Sequence, residues 1–114
     1  MARNTTTQRK NKAPLPAFAS SVAKRYPNVW NAFTQLGEQV AEAGPLSERE
    51  RRLVKLALAI GSRTEGGTHS HTRQALAGGL TADEIRHVAL LAIPTIGYPA
   101  SAAALSWLDD LLPK

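Results

Sequence analysis

The chain contains no cysteine. Disulfides, thiolate metal sites and thiol redox chemistry are therefore excluded from it. No stretch approaches the ~20 consecutive apolar residues of a membrane span. The opening residues, Met1 to Lys12, also lack the apolar segment of a secretory signal. We read the protein as cytoplasmic, with no membrane partner. Acidic residues are missing from the whole first third: Arg3, Arg9, Lys10, Lys12, Lys24 and Arg25 precede the first acid, Glu38. The net charge of +5 is thus concentrated in a leader, since from Tyr26 onward eight bases face nine acids. Aromatics are scarce too, with two each of Trp, Tyr and Phe, and the leader offers only Phe18 before Tyr26. A nucleic-acid surface needs basic residues on one structured face with stacking aromatics, so no nucleic-acid partner is expected. Strand alternation bounded by hairpin turns is absent as well.

What remains is a series of helices with clear punctuation. At 114 residues the chain is large enough for one core and too small for an elaborate internal cavity. Pro14 and Pro16 make the leader extended, and a short helix is expected from about Ala17 to Arg25, stopped by Pro27. Val29, Trp30, Phe33, Leu36, Val40 and Ala41 recur at three and four up to Gly44-Pro45, which marks an amphipathic helix and its stop. Ser47 and Glu50 form a capping-box pattern. The helix they open, with Leu53, Val54, Leu56, Ala57, Leu58, Ala59 and Ile60, is apolar on most sides and is expected at the centre. Thr81 and Glu84 repeat the box ahead of Ile85, Val88, Ala89, Leu91 and Ala92, which run to a stop near Pro94. A last helix from about Pro99 presents Ala102, Ala103, Leu105, Trp107, Leu108 and Leu111. The fold class is all-α, a compact bundle of five or six helices. Its organisation is a basic leader or interface arm at residues 1–25 and a helical domain at 26–114.

The densest group of ionisable residues lies between Arg63 and Thr81. Gly66-Gly67 is expected to break the chain, with Thr68 capping a helix that carries His69, His71 and Arg73 and closes at Gly78-Gly79. On that helix His69 and His71 stand about 200° apart. Glu65 and His69 share a face only if helix continues through the two glycines, which those residues discourage. His69-Ser70-His71 with Glu65 has ligand types suited to zinc, nickel or iron, but with no fourth ligand evident the reading assigns no metal and no cofactor. His87 has no clustered partner and reads as a surface or capping residue. Trp30, Phe33 and Trp107 read as core or subunit contacts.

The run Leu46-Ser47-Glu48-Arg49-Glu50-Arg51-Arg52-Leu53-Val54-Lys55-Leu56-Ala57, followed by His71-Thr72-Arg73-Gln74-Ala75-Leu76-Ala77-Gly78-Gly79-Leu80-Thr81-Ala82-Asp83-Glu84-Ile85, resembles the carboxymuconolactone decarboxylase family, whose relatives include the alkylhydroperoxidase D-like proteins. The resemblance spans about Tyr26 to Leu112. In the peroxidase branch it implies a Cys-x-x-Cys pair and a glutamate on the preceding helix. Those positions fall here on Thr64, Gly67 and Arg52, and only the histidine, at His71, is retained. Neither threonine nor glycine can attack a peroxide oxygen or resolve the product, so thiol peroxidase activity is rejected. The decarboxylase branch implies proton-transfer or decarboxylation chemistry on a small carboxylated lactone or keto acid, with His71 as general acid/base. Arg63 or Arg73 would hold a carboxylate, Glu65 would orient a histidine, and Thr64, Thr68 and His69 would support the site. The alternative is a noncatalytic scaffold or small-ligand binder that lost the family chemistry. By analogy with relatives, and because several apolar stripes exceed what one small core absorbs, a homo-oligomer, trimer or hexamer, is expected.

Overall fold

Prolines and capping boxes set the helix boundaries. The computed structural model describes residues 17–114, so the stretch of the basic leader that carries Arg3, Arg9, Lys10 and Lys12 lies outside the described residues. Along them run α1 (Ala17–Arg25), α2 (Pro27–Glu42), α3 (Glu48–Gly61), α4 (Glu65–Ala77), α5 (Ala82–Leu91), the four-residue α6 (Ile93–Ile96) and α7 (Tyr98–Leu108). That is six helices of nine residues or more and one single turn, with no strand among the described residues. None of these helices is long and apolar enough to cross a membrane. They divide into two units, one ending at Leu46 and one spanning Ser47–Lys114.

In the first unit α1 packs against α2, and Trp30 and Phe33 meet with ring centroids 5.5 Å apart. No side chain of α2 is buried. Its stripe of Val29, Phe33, Leu36 and Val40, spaced four, three and four, is exposed by more than 60% at every position.

The second unit starts and turns on the two capping boxes. Glu50 N–H donates to Ser47 Oγ at 3.1 Å while Ser47 N–H donates to Glu50 Oε1 at 2.8 Å. Thr81 and Glu84 repeat the exchange at 3.1 and 2.9 Å. The amide bonds hold both carboxyls below their ordinary range, from Ser47 at Glu50 and from Thr81 at Glu84. Arg49 then pairs with Glu84, tying the start of α3 to the start of α5. The core between these helices is Leu56 and Ile60 from α3, Ala75 from α4, Ile85 and Ala89 from α5, and Ala104 and Leu108 from α7, closed by Leu80, Ala92 and Leu112.

The most extensive pairing is α3 with α4, and α4 also packs on α7. The inward face of α4 is short-chained, Thr68, Thr72 and Ala75, and so is that of α7, Ala100, Ser101 and Ala104. Small residues let helices approach closely, which substitutes for the large aromatics the sequence lacks. α3 touches α4, α5 and α7, in keeping with its expected central place, but only Leu56, Ala59 and Ile60 are buried, while Val54 and Leu58 remain exposed. Its neighbours cover one stripe, and the rest of its apolar surface faces outward.

Arg52 on α3 is the cross-tie to α4. It donates to the Gln74 carbonyl at 3.0 Å, in the last turn of α4, where that oxygen also accepts from the Gly78 N–H at 2.9 Å, and pairs with Glu48 at 2.6 Å. Gly78 exists to let it pass, since a Cβ there would stand 2.5 Å from Arg52 Nε.

Two stability outcomes follow. Gly78→Ala must displace Arg52 and should lower unfolding free energy by about 1–2 kcal/mol, and the same change in an Arg52→Ala background should cost about 1 kcal/mol less, a coupling read by a double-mutant cycle in urea. The hydroxyls of Thr68, Thr72 and Ser101 are buried with no hydrogen-bond partner among the described residues. Thr72→Val, which keeps the shape and removes such a group, should therefore raise stability by roughly 1 kcal/mol in the same assay.

Candidate functional site

α4 begins one turn earlier than the glycines suggest, and that alters which side chains meet. Thr64 is its N-cap residue, with extended backbone at φ −103° and ψ 115°, and the helix runs on through Gly66 and Gly67. Thr68, expected as a cap, is an interior helical residue with no exposed surface. The expected break at Gly66-Gly67 is thus corrected. Gly67 is retained for packing, because a Cβ on it would lie 2.6 Å from Thr64 Oγ1. That hydroxyl turns back to donate to the Ala59 carbonyl at 3.1 Å, which joins the end of α3 to the start of α4.

A helical α4 sorts its residues at about 100° per position. Thr68, Thr72 and Ala75 form the buried stripe. Thr64, Gly67 and His71 fall on one flank of it, and Glu65 and His69 on the other. The first flank faces a cleft of about 300 Å³, lined by Lys55, Leu58, Ala59 and Ser62 from α3 together with Thr64, Gly67 and His71. It is open to one side and mostly apolar, with Lys55 as its cation. Burial is the main reason that the His71 imidazole titrates below its ordinary value, and the positive charges of Lys55 and then Arg52 push it further in the same direction. At neutral pH His71 is therefore an uncharged imidazole facing an apolar cleft beside a lysine.

The second flank makes a different arrangement. His69 Nε2 lies 2.9 Å from Asp110 Oδ2, just beyond α7, and Glu65, one turn before His69, brings a carboxylate oxygen to the same place. One ligand atom from each of these three residues lies within 4.8 Å of the others.

Of the residues expected around His71, the structure brings only Thr64 into its cleft. Glu65 and His69 belong to the opposite flank, and Thr68 is sealed in the core. Arg63 is exposed with a left-handed backbone, φ 60°, as the chain leaves α3, and neither it nor Arg73 lines the cleft. No described residue hydrogen-bonds either ring nitrogen of His71, so Glu65, expected to orient a histidine, does not orient this one. Lys55 escaped sequence reasoning, although a signal was present: it is the single charge inside the apolar run Leu53 to Ile60. Asp110 had no such signal, since it stands 41 residues from His69 and only the fold joins them. His87 is exposed, as expected.

Arg52, at the position of the family's glutamate, is committed to Glu48 and the Gln74 carbonyl. It acts on His71 as a field and not as a proton carrier.

Comparison with known proteins agrees with this architecture. No curated protein matches the chain. A crystal structure of a Burkholderia xenovorans LB400 protein, provisionally named a carboxymuconolactone decarboxylase, superposes with a TM-score of 0.66 at 22% identity over 95% of this chain and 87% of that one, and so shares the fold. The model of the carboxymuconolactone decarboxylase family matches residues 27–110, from the first turn of α2 to Asp110. The chain, cysteine-free as it is, belongs to the carboxymuconolactone decarboxylase family.

Proposed function

We propose that the α3–α4 cleft performs proton-transfer chemistry on a small carboxylated lactone or keto acid, with His71 as the acid/base and Lys55 as the carboxylate anchor. The observation that carries this reading is the pairing of a half-buried imidazole with a lysine in one apolar cleft. In a decarboxylation the bond from carbon to carboxylate breaks, carbon dioxide leaves, and the electron pair moves into the adjacent unsaturated carbonyl as an enolate. A lysine ammonium offsets the negative charge, and an imidazolium returns a proton to carbon. The apolar surface beside the two groups leaves them fewer competing polar partners than open water does.

The depressed titration of His71 fits this role when the ligand is counted. Lys55 and Arg52 disfavour the imidazolium in the free protein; a bound carboxylate adds a negative charge beside it and favours the imidazolium again. The substrate thus charges the acid that protonates it, and binding takes up a proton. We also propose that the protein works as a cytoplasmic homo-oligomer, a trimer or hexamer, in which a second copy covers the exposed Val29, Phe33, Leu36 and Val40 stripe of α2. Light scattering after gel filtration tests this, and a monomer at micromolar concentration would overturn it.

The catalytic test is carbon dioxide release from a panel of carboxylated lactones and keto acids. His71→Ala should reduce turnover by about 10²–10⁴-fold, as loss of a general acid does. Lys55→Met should raise KM, through loss of the carboxylate anchor, and also lower kcat, through loss of the charge that offsets the enolate. For a proton donor, kcat/KM falls as pH rises through the pKa of His71 in the free protein, which lies below the ordinary histidine value. Lys55→Met removes one of the charges holding it down, so its falling limb should move to higher pH. Equal turnover by wild type and His71→Ala defeats the assignment. Binding of the acids without turnover would support a ligand binder instead.

Stability offers a separate check. Because the folded pKa is the lower one, the unfolded chain binds the extra proton first as pH falls. The contribution of neutral His71 is complete above about 6.5, declines below it, and is lost once the folded pKa is passed. His71→Gln should flatten the pH dependence of unfolding in that window.

A further inference from the structure

The flank of α4 opposite the cleft holds a set of groups that the proposed chemistry does not use. We propose that Glu65, His69 and Asp110 form a binding site for one divalent first-row transition metal ion, with zinc as its representative. The set mixes one imidazole nitrogen with two carboxylates, the donor types that borderline cations take. At bond lengths of ~2.0–2.2 Å, ligands at tetrahedral or octahedral angles stand ~3.0–3.4 Å apart. His69 Nε2 and Asp110 Oδ2 are 2.9 Å apart, and all three ligand atoms fall within 4.8 Å, so small rotations of two carboxylate side chains close the site.

Glu65 and His69 are four residues apart on one helix, a spacing that puts both donors on the same face. Asp110 lies in the turn after α7 between Leu108 and Leu112, both buried. Arg86 fixes that turn by donating to the Pro113 carbonyl at 2.8 Å and pairing with Asp109 at 3.4 Å, which leaves Asp110 directed at His69. The helix reaches Glu65 only by continuing through Gly66 and Gly67, each unfavourable by ~1 kcal/mol against alanine in a helix interior. A Cβ on Gly66 meets nothing within 4 Å, so close packing does not require glycine at that position. What that turn accomplishes is to seat Glu65 beside His69.

Three protein ligands leave coordination positions for water or a bound anion, so the site is open and not sealed. It also joins the start of α4 to the end of the chain, and the ion bound there would stabilise the fold by mass action. An ion pair between His69 and Asp110 alone is the competing account, and it has no use for Glu65.

The experiment is a titration of the full, tag-free, chelator-treated chain with Zn²⁺ alone, followed by calorimetry and by the shift in melting temperature. Expected are one saturable equivalent per chain, a rise in melting temperature, and at least about tenfold weaker binding in both Glu65→Gln and His69→Ala. His71→Ala and His87→Ala should bind as wild type does, which keeps this result independent of the cleft. Glu65→Gln preserves the His69–Asp110 pair, so normal metal-free stability with weakened zinc binding separates coordination from folding. No saturable uptake by the wild type, or uptake unchanged in Glu65→Gln and His69→Ala, would overturn the proposal.

Discussion

The arrangement depends on α4 being one uninterrupted helix from Glu65 to Ala77, because only then do its residues keep a fixed angular order around the axis. The stripe of Thr68, Thr72 and Ala75 is pressed against α3 and α7, and a helix anchored along one narrow stripe presents two flanks to two different surroundings. His71 is turned to α3 and its cleft, whereas His69 is turned to the end of α7. Two histidines separated by one residue thereby face separate surroundings. A break at the glycines would free the first turn and dissolve that separation.

Holding such a helix in place is harder than its length suggests. Its inward side chains are small, so it offers little apolar area and cannot rely on burial alone. Polar ties at both ends make up the difference. Thr64 bonds the Ala59 carbonyl at the start, and Arg52 bonds the Gln74 carbonyl at the finish. Both ties run to α3, the helix that supplies Lys55, Leu58 and Ser62 to the cleft. The groups that fix the register of α4 against α3 therefore also fix where His71 stands relative to Lys55. Arg52 does both jobs at once, since its charge also lowers the tendency of His71 to protonate.

Much of this architecture was legible in the residues. Ser47 with Glu50 and Thr81 with Glu84 each make both capping-box hydrogen bonds, because the geometry they need is local and three residues long. The first helix ends at Arg25, ahead of Pro27, as the proline requires. The misreading came at Gly66-Gly67, where propensity pointed to a break and packing overruled it: the glycine at 67 makes room for the Thr64 side chain. His71 was found through a family pattern, but its surroundings were not. Neighbours in sequence, Arg63 and Arg73, were offered as partners, whereas the cation lining the cleft comes from Lys55, sixteen residues earlier on another helix. Proximity along the chain predicts contact poorly across a helix, where adjacent residues face different ways.

The substitutions at the family's cysteine positions gain meaning from the same geometry. Thr64 and Gly67, which the resemblance sets at the peroxidase branch's cysteine positions, line the cleft with His71. Thr64 has become a structural hydroxyl bound to the Ala59 carbonyl, and Gly67 is the gap that accommodates it. The two changes are coupled, since a side chain at 67 would collide with the threonine at 64. A cysteine at 67 would crowd Thr64 Oγ1, and one at 64 would remove the hydroxyl that bonds the Ala59 carbonyl. What the cleft retains is an imidazole and a lysine on a mostly apolar surface, the two groups on which the proposed chemistry rests.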